Sequence, residues 1–221
     1  MPIRLLLGLL LTVAFAARAP AQTFSAGLKA GVRVTDDING FSLTRAESKR
    51  YIVGPTVQLD LPLHLAVEVD ALYRTFGYLS YLGSYGGSSI IGERSNSWEF
   101  PVIGKYRIPA GPFHPFAGAG FNTRRVSGAT VSSGSYLSGL GPMVPFFNVR
   151  HTTAYPVTHG LVVSGGVDWN IRHLRISPEV RYQRWNKPFL DEFGGDGSYD
   201  LHSNQNEVFL MIGISWRHST R

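Results

Sequence analysis

Apolar and polar positions alternate with a period of two along most of the chain. The alternation is strictest in residues 61–74. There Leu65, Val67, Val69, Ala71 and Tyr73 fall on one side, and Ala66, Glu68, Asp70, Leu72 and Arg74 on the other. Successive side chains of a strand point to opposite faces, so this segment has one apolar face and one face with three charges. A helix would mix the two sets. A soluble sheet would turn the charged face to water, whereas a membrane barrel turns the apolar face to lipid.

The same pattern recurs on either side. Phe24, Ala26, Leu28, Ala30, Val32 and Val34 alternate with Ser25, Gly27, Lys29, Gly31 and Arg33, and a second run sets Tyr51 through Leu61 against Ile52 through Asp60. After residues 61–74 as the third strand, the fourth places Trp98, Phe100, Val102, Tyr106 and Ile108 against Glu99, Ile103, Lys105 and Arg107. The fifth sets Pro115, Ala117, Ala119, Phe121 and Thr123 against Phe116, Gly118, Gly120, Asn122 and Arg124. The sixth opposes Leu161, Val163, Gly165, Val167, Trp169 and Ile171 to Ser164, Gly166, Asp168, Asn170 and Arg172. The seventh opposes Leu174, Ile176, Pro178, Val180 and Tyr182 to Arg175, Ser177, Glu179, Arg181 and Gln183, and the eighth runs from Glu207 and Val208 to Trp216.

Eight strands joined alternately by long and short connections predict an all-β fold, an eight-stranded antiparallel up-and-down transmembrane barrel. The short turns lie at Pro62-Leu63-His64, at Pro109-Ala110-Gly111-Pro112 and at His173. The four long connections are residues 35–50, 75–97, 125–160 and 185–206, expected as extracellular loops, with both termini on the periplasmic side.

Charge decides which face meets lipid. The apolar sets carry none, while the opposite sets hold Lys29, Arg33, Asp60, Glu68, Asp70, Arg74, Glu99, Lys105, Arg107, Asp168, Arg172, Glu179, Arg181 and Glu207. An Arg or Lys on the lipid face costs about 2–4 kcal/mol at the midplane, so these residues are expected inside the barrel as a paired network. Glycines among them leave room for long side chains, and eight strands enclose little more than the side chains themselves. The aromatics of the outward face are expected as two interfacial girdles. Tyr51, Tyr73, Trp98, Phe100, Phe121 and Tyr182 lie at the long-loop end, and Phe24, Tyr106, Phe113, Trp169 and Trp216 at the short-turn end.

The N-terminus adds a destination. Arg4, the apolar run to Ala17 and the Ala19-Pro20-Ala21 site predict a cleaved secretory signal over residues 1–21, with residues 22–221 as the barrel domain. Loss of Arg4 and Arg18 lowers the formal net charge of +6 by two. With no cysteine in the chain, a disulfide-stapled domain and an acylated lipoprotein are excluded. Past the signal there is no uncharged apolar run of about 18 residues, which excludes a helical membrane protein.

Residues 61–74, Trp98-Glu99-Phe100-Pro101, residues 115–121, Pro178-Glu179-Val180-Arg181-Tyr182 and residues 208–216 together resemble the bacterial outer-membrane β-barrel domain family, the OmpA/OmpX-like and PorT-like small barrels. The resemblance covers the whole mature chain and implies a location in the bacterial outer membrane. It also implies that the last strand is read by the barrel-assembly machinery, although five residues follow Trp216 here. The motifs carry a fold rather than an activity.

Candidate chemistry is sparse. Gly118-Ala119-Gly120 lies mid-strand without the following helix that a phosphate loop needs. The acidic segment 191–200 lacks calcium-loop spacing. An outer-membrane lipid A deacylase-like enzyme would need Ser, His and an acid on the outward surface, and the outward sets contain neither histidine nor serine; His151 and His159 are placed in the third loop. A lipocalin-like carrier would need the opposite arrangement of faces. Basic residues are interspersed with carboxylates, which argues against nucleic acid. The expectation is a non-enzymatic structural or surface-interaction protein, with no cofactor, no metal and no catalytic residue, meeting membrane lipid on its wall and a partner through its loops. The alternatives are a lipid-modifying enzyme or a narrow solute channel.

Overall fold

The computed structural model describes residues 23–36, 38–40, 44–46, 48–84, 87–137, 147–151, 156–189, 191–193 and 200–219. The signal segment expected from the sequence, and most of the acidic segment 191–200, lie outside the described residues. Eight strands form the wall. They are β1 (Thr23–Arg33), β2 (Tyr51–Asp60), β3 (Leu65–Asp70, resuming after Ala71 as Leu72–Ser84) and β4 (Gly87–Glu99, resuming as Val102–Arg107). Then follow β5 (Phe113–Leu137), β6 (Val157–Ile171), β7 (Leu174–Trp185) and β8 (Asn206–Ser219). Each pairs antiparallel with the next, and β8 closes on β1. Closure satisfies every strand edge within the wall, which a hydrocarbon surround requires.

The stagger of this closure follows from the registers. Partners traced from Thr23 through Asp60, Ala66, Lys105, Gly118, Ser164, Arg181 and Phe209 return to β1 at Arg33, ten residues further up the same strand. For eight strands that shear corresponds to a tilt of about 40° from the barrel axis. A barrel this narrow bends its strands sharply, and glycine marks the places where walls nearly touch. A Cβ on Gly54 would lie 1.8 Å from the carbonyl oxygen of Ala71, and one on Gly120 1.9 Å from that of Val102.

Three short connections join the strands at one end. Leu65 donates from its backbone N–H to the Pro62 carbonyl at 3.4 Å, with Leu63 at φ 61° and His64 at φ 63° between them. Gly111 (φ 63°) supplies the second turn, and Arg172 (φ 52°) with His173 the third.

The other end differs from the four loops expected. Residues 75–97 are not a loop: β3 and β4 continue as a hairpin to Ser84 and Gly87, and β5 runs beside β4 as far as Leu137. Thr44–Ala46 pairs with the free edge of β3, and Phe147–His151 with that of β5. Five adjoining segments therefore form a blade that projects beyond the barrel. The Ser-, Gly- and Tyr-rich composition that suggests a loop marks instead a strand with no lipid on either side, where the apolar alternation is not required. A second small sheet joins Asp191–Phe193, Asp200–Ser203 and Ile38–Gly40.

Candidate functional site

The inward residues of the wall form a column of ion pairs in three levels. Nearest the short turns, Arg107 reaches Asp60 at 2.6 Å and Asp168 at 2.8 Å, and Arg175 reaches Asp60 at 2.6 Å and Ser25 Oγ at 3.2 Å. At mid-height Lys29, Lys105 and Arg181 face Glu68, Asp70 and Glu179. Lys29 pairs with Glu68, and with Glu179 at 3.0 Å; Lys105 pairs with Glu68 at 2.7 Å; Arg181 pairs with Glu179 at 2.8 Å, Asp70 at 2.9 Å and Glu68 at 3.1 Å. Towards the long-loop end Arg74 and Arg124 share Glu99 and Glu207, at distances from 2.5 to 3.1 Å. The middle and upper levels balance their charges, three with three and two with two, while at the lower level the part-buried Arg217 on the inward parity of β8 adds a third cation beside Asp60 and Asp168. Charges removed from water need this matching, because a buried charge without its partner costs several kcal/mol.

The upper level is closed by aromatic rings. The Arg124 guanidinium lies 3.8 Å from the ring centre of Trp185, and that of Arg74 lies 4.1 Å from Phe76. Trp185 Nε1 donates to Glu207 at 2.9 Å, and Phe189 folds in from the segment after β7 to pack against Phe76, the ring centres 4.3 Å apart and the planes tilted by 36°. Below, a cavity lined by Ser25, Lys29, Thr56, Gln58, Glu68, Ser177, Gly213 and Ser215 has room for about one water molecule. The interior is a packed polar core rather than a lumen.

Of the residues expected inside, Lys29, Arg33, Asp60, Glu68, Asp70, Arg74, Glu99, Lys105, Arg107, Asp168, Glu179, Arg181 and Glu207 are inside. Arg172 is not. It occupies the turn after β6 with its side chain exposed, because the alternation ends at Ile171 and restarts beyond the turn. Arg175 and Arg124, which stand on inward faces of the sequence pattern, complete the lower and upper levels.

The exterior reverses the usual order of a soluble protein. Leu28, Val69, Val102, Val163, Val180 and Ile212 all point outward and are exposed, while arginines and glutamates are fully buried. Rings mark both borders of this apolar band. Phe113 and Phe121 on β5, and Tyr106 and Trp98 on β4, are each eight residues apart, which at this tilt is about 20 Å along the axis. Tyr73, Trp98 and Phe100 adjoin in one belt, and Phe113 lies 5.6 Å from Trp169 in the other. An apolar wall of that height between aromatic belts, around a charge-paired interior, fits a bilayer. The chain is a transmembrane β-barrel.

No family model and no curated protein matches the sequence. Among solved structures the chain is similar to Neisserial surface protein A, with 11% identity, a TM-score of 0.45, and coverage of 88% of this chain and 96% of that one. It is also similar to a major outer membrane protein of Thermus thermophilus, with 12% identity, a TM-score of 0.48, and coverage of 90% and 100%. The attachment invasion locus protein of Yersinia pestis, in complex with the heparin analogue sucrose octasulfate, gives 11% identity, a TM-score of 0.44, and coverage of 90% and 100%. The fold assignment stands on this chain's own registers and faces.

One expectation about the outward surface needs correction. His159 is not in a loop: it lies on β6, exposed, and its Nδ1 shares a 3.1 Å hydrogen bond with Thr123 Oγ1 on β5. The outward alternation of Val157, His159 and Leu161 carries the signal, and a loop boundary at residue 160 hides it.

Proposed function

We propose that this barrel is a non-enzymatic surface protein, with its long-loop end outside the cell and its function carried by the blade of β3, β4 and β5. The observation that supports this reading is the length of the blade. On β5 alone, sixteen residues continue from Phe121 in the upper belt to Leu137, about 40 Å of tilted strand beyond the membrane border. A wall that needed only to span would end near that belt. The blade offers backbone hydrogen-bonding edges and a Ser/Thr/Tyr-rich sequence to a partner in the surroundings.

The test is replacement of residues 79–92 by a two-residue turn. The shortened protein is expected to keep its heat-modifiable mobility on gels and to lose retention of surface partners by whole cells. Cells that retain partners equally well with the shortened blade would overturn the proposal. Protease shaving of intact cells, with cleavage confined to residues beyond the upper belt, tests the orientation.

The enzyme reading has one observation on its side, the Thr123–His159 pair. No carboxylate contacts His159 among the described residues, so a complete triad is not formed. Absence of lipid A or phospholipid hydrolysis by the purified barrel in detergent is the expected result. The closed interior likewise predicts planar-bilayer recordings without conductance steps.

A further inference from the structure

The lower level of charge inside the barrel is both unbalanced and open to solvent. The upper level lies beneath Trp185, Phe76 and Phe189, and the side chains of the middle level are fully buried. At the lower level the side chains of Arg107 and Asp60 keep 12% and 14% of their surface exposed, and Arg217, His114 and Asn170 are half-buried around them. The three connections at this end, residues 61–64, 108–112 and 172–173, are too short to fold across the mouth.

Arg217 is the surplus cation. It stands on β8 opposite Ser25 of β1, and its backbone N–H donates to the His173 carbonyl at 2.7 Å. Two carboxylates lie near it, and both are engaged. Asp60 Oδ1 accepts from Arg107 at 2.6 Å and from Gln58 at 3.0 Å, and Asp60 Oδ2 accepts from Arg175 at 2.6 Å. Asp168 Oδ1 accepts from Ser177 Oγ at 2.7 Å, and its Oδ2 faces Arg107 Nε at 2.8 Å. No carboxylate of the described residues is within ion-pair distance of Arg217, and its Nε, shielded from water, has no hydrogen-bond acceptor. A part-buried donor without an acceptor is costly, the more so beside two other guanidiniums. One further negative charge would bring this level to the three-with-three balance of the middle one.

We infer that Arg217 anchors a binding site for a single carboxylate that enters through the short-turn mouth. A guanidinium suits this group because its planar donor fork matches two carboxylate oxygens. The deficit is one charge, which a carboxylate supplies and a doubly charged phosphate would exceed. His114 and Asn170, whose side chains meet at 3.2 Å, add neutral polar groups at the rim. An eight-stranded wall leaves little free width, so the carboxylate has to arrive on a slender molecule, as the end of a peptide chain or as a small free acid. Membrane lipid meets the outward face and does not reach the axis of the mouth. The site lies at the opposite end from the blade and is independent of the surface role proposed above, whose orientation would open it to the periplasm.

The test uses the whole folded barrel in detergent micelles, with its arginines labelled for nuclear magnetic resonance. It is titrated with acetyl-trialanine, acetyl-trialanine amide and acetate, chloride holding the ionic strength constant. The Nε–H resonances of Arg107 and Arg175, present in every variant, report occupancy. A saturable shift is expected with acetyl-trialanine and none with its amide. Arg217→Gln is expected to weaken association by about tenfold or more, the worth of a hydrogen bond between charged groups. Arg217→Lys keeps the charge without the fork and is expected to lose about threefold. Arg172→Gln, exposed in the third turn at the same end, is expected to stay within about twofold of the parent. The site is overturned by a parent without a saturable shift, by an amide that acts like the free peptide, or by an equal loss in Arg172→Gln, which would mean diffuse attraction. If Arg217→Gln does not reach the heat-modifiable form, Arg217→Lys decides, and association unchanged from the parent overturns the site. Acetate weaker than the peptide assigns the carboxylate to a chain end, and acetate equal to it assigns a small free acid; either result supports the site. Both mouths are open to solvent in a micelle, so the outcome is independent of the orientation that protease shaving tests.

Discussion

Glu68 is the place to test whether the barrel is held by charge matching. Its carboxylate meets Lys29, Lys105 and Arg181, the three cations of the middle level, and it is buried with them. Glu68→Gln keeps the shape of the side chain but leaves three cations facing two carboxylates. Removing one partner of a buried pair costs about 3–5 kcal/mol, chiefly through the charge left behind. Lys105→Met removes the opposite charge and is expected to cost about the same, the Lys105 Nζ contact 4.1 Å from the Phe116 ring centre being partly replaced by thioether packing. Neutrality returns in the double variant, which is therefore expected to cost about as much as either single change, a coupling of about 3–5 kcal/mol. Urea unfolding in vesicles, followed by the fraction of heat-modifiable band at equilibrium, measures all four proteins. Single variants within about 1 kcal/mol of the parent, or a double variant equal to the sum of its singles, would show that the interior screens its charges like water and would refute the reasoning.

Other perturbations probe the remaining features. Leu28→Arg places a cation on the outward face near mid-height, where it is expected to lower vesicle stability by about 2–4 kcal/mol; an unchanged urea midpoint would mean that this face does not meet lipid. Gly120→Val forces a side chain onto the Val102 carbonyl and is expected to abolish the heat-modifiable form, while Gly165→Ala, where the nearest atom to an added Cβ is 3.8 Å away, is expected to retain it. Leu63→Asn/His64→Gly fits the two positive-φ positions of the first turn and is expected to raise stability by about 1 kcal/mol, read as a higher urea midpoint with an unchanged slope.

The wall is legible in the sequence because the bilayer imposes one rule on every lipid-facing position. That rule gives period-two alternation without charge on one side, and it locates eight strands, three turns and both belts. Arg172 shows where parity stops being informative: the pattern cannot tell a strand's last inward residue from a turn residue of the same parity. Arg124 and Arg175 stand in inward sets, yet their partners depend on the shear of ten, which emerges only when the strands are paired around the circle. Phe189 reads as a loop residue, since a residue that folds back over the barrel mouth carries no periodic mark, and Trp185 reads as one because the expected loop begins there, although it continues the inward parity of β7. The blade escapes the pattern for the opposite reason: without lipid, Ser, Gly and Tyr suffice for strands whose order comes from their neighbours.

These two regimes explain why the same strands read so differently above and below the upper belt. Within the membrane the outward positions such as Val102 and Val163 carry no charge, and the charged side chains face inward, where most of them pair level by level. Above the belt that constraint ends abruptly, and cations stand on the outward parity of β4, β5 and β7 at Arg94, Arg125 and Arg184. An arginine four residues lower on β5 would stand in the place of Phe121 and face acyl chains. The switch from aromatic to cation within four residues of one strand thus marks the boundary between hydrocarbon and headgroup, and it does so at the end from which the blade projects. The charges that end the apolar wall and the strands that outlast it lie at the same end of the barrel.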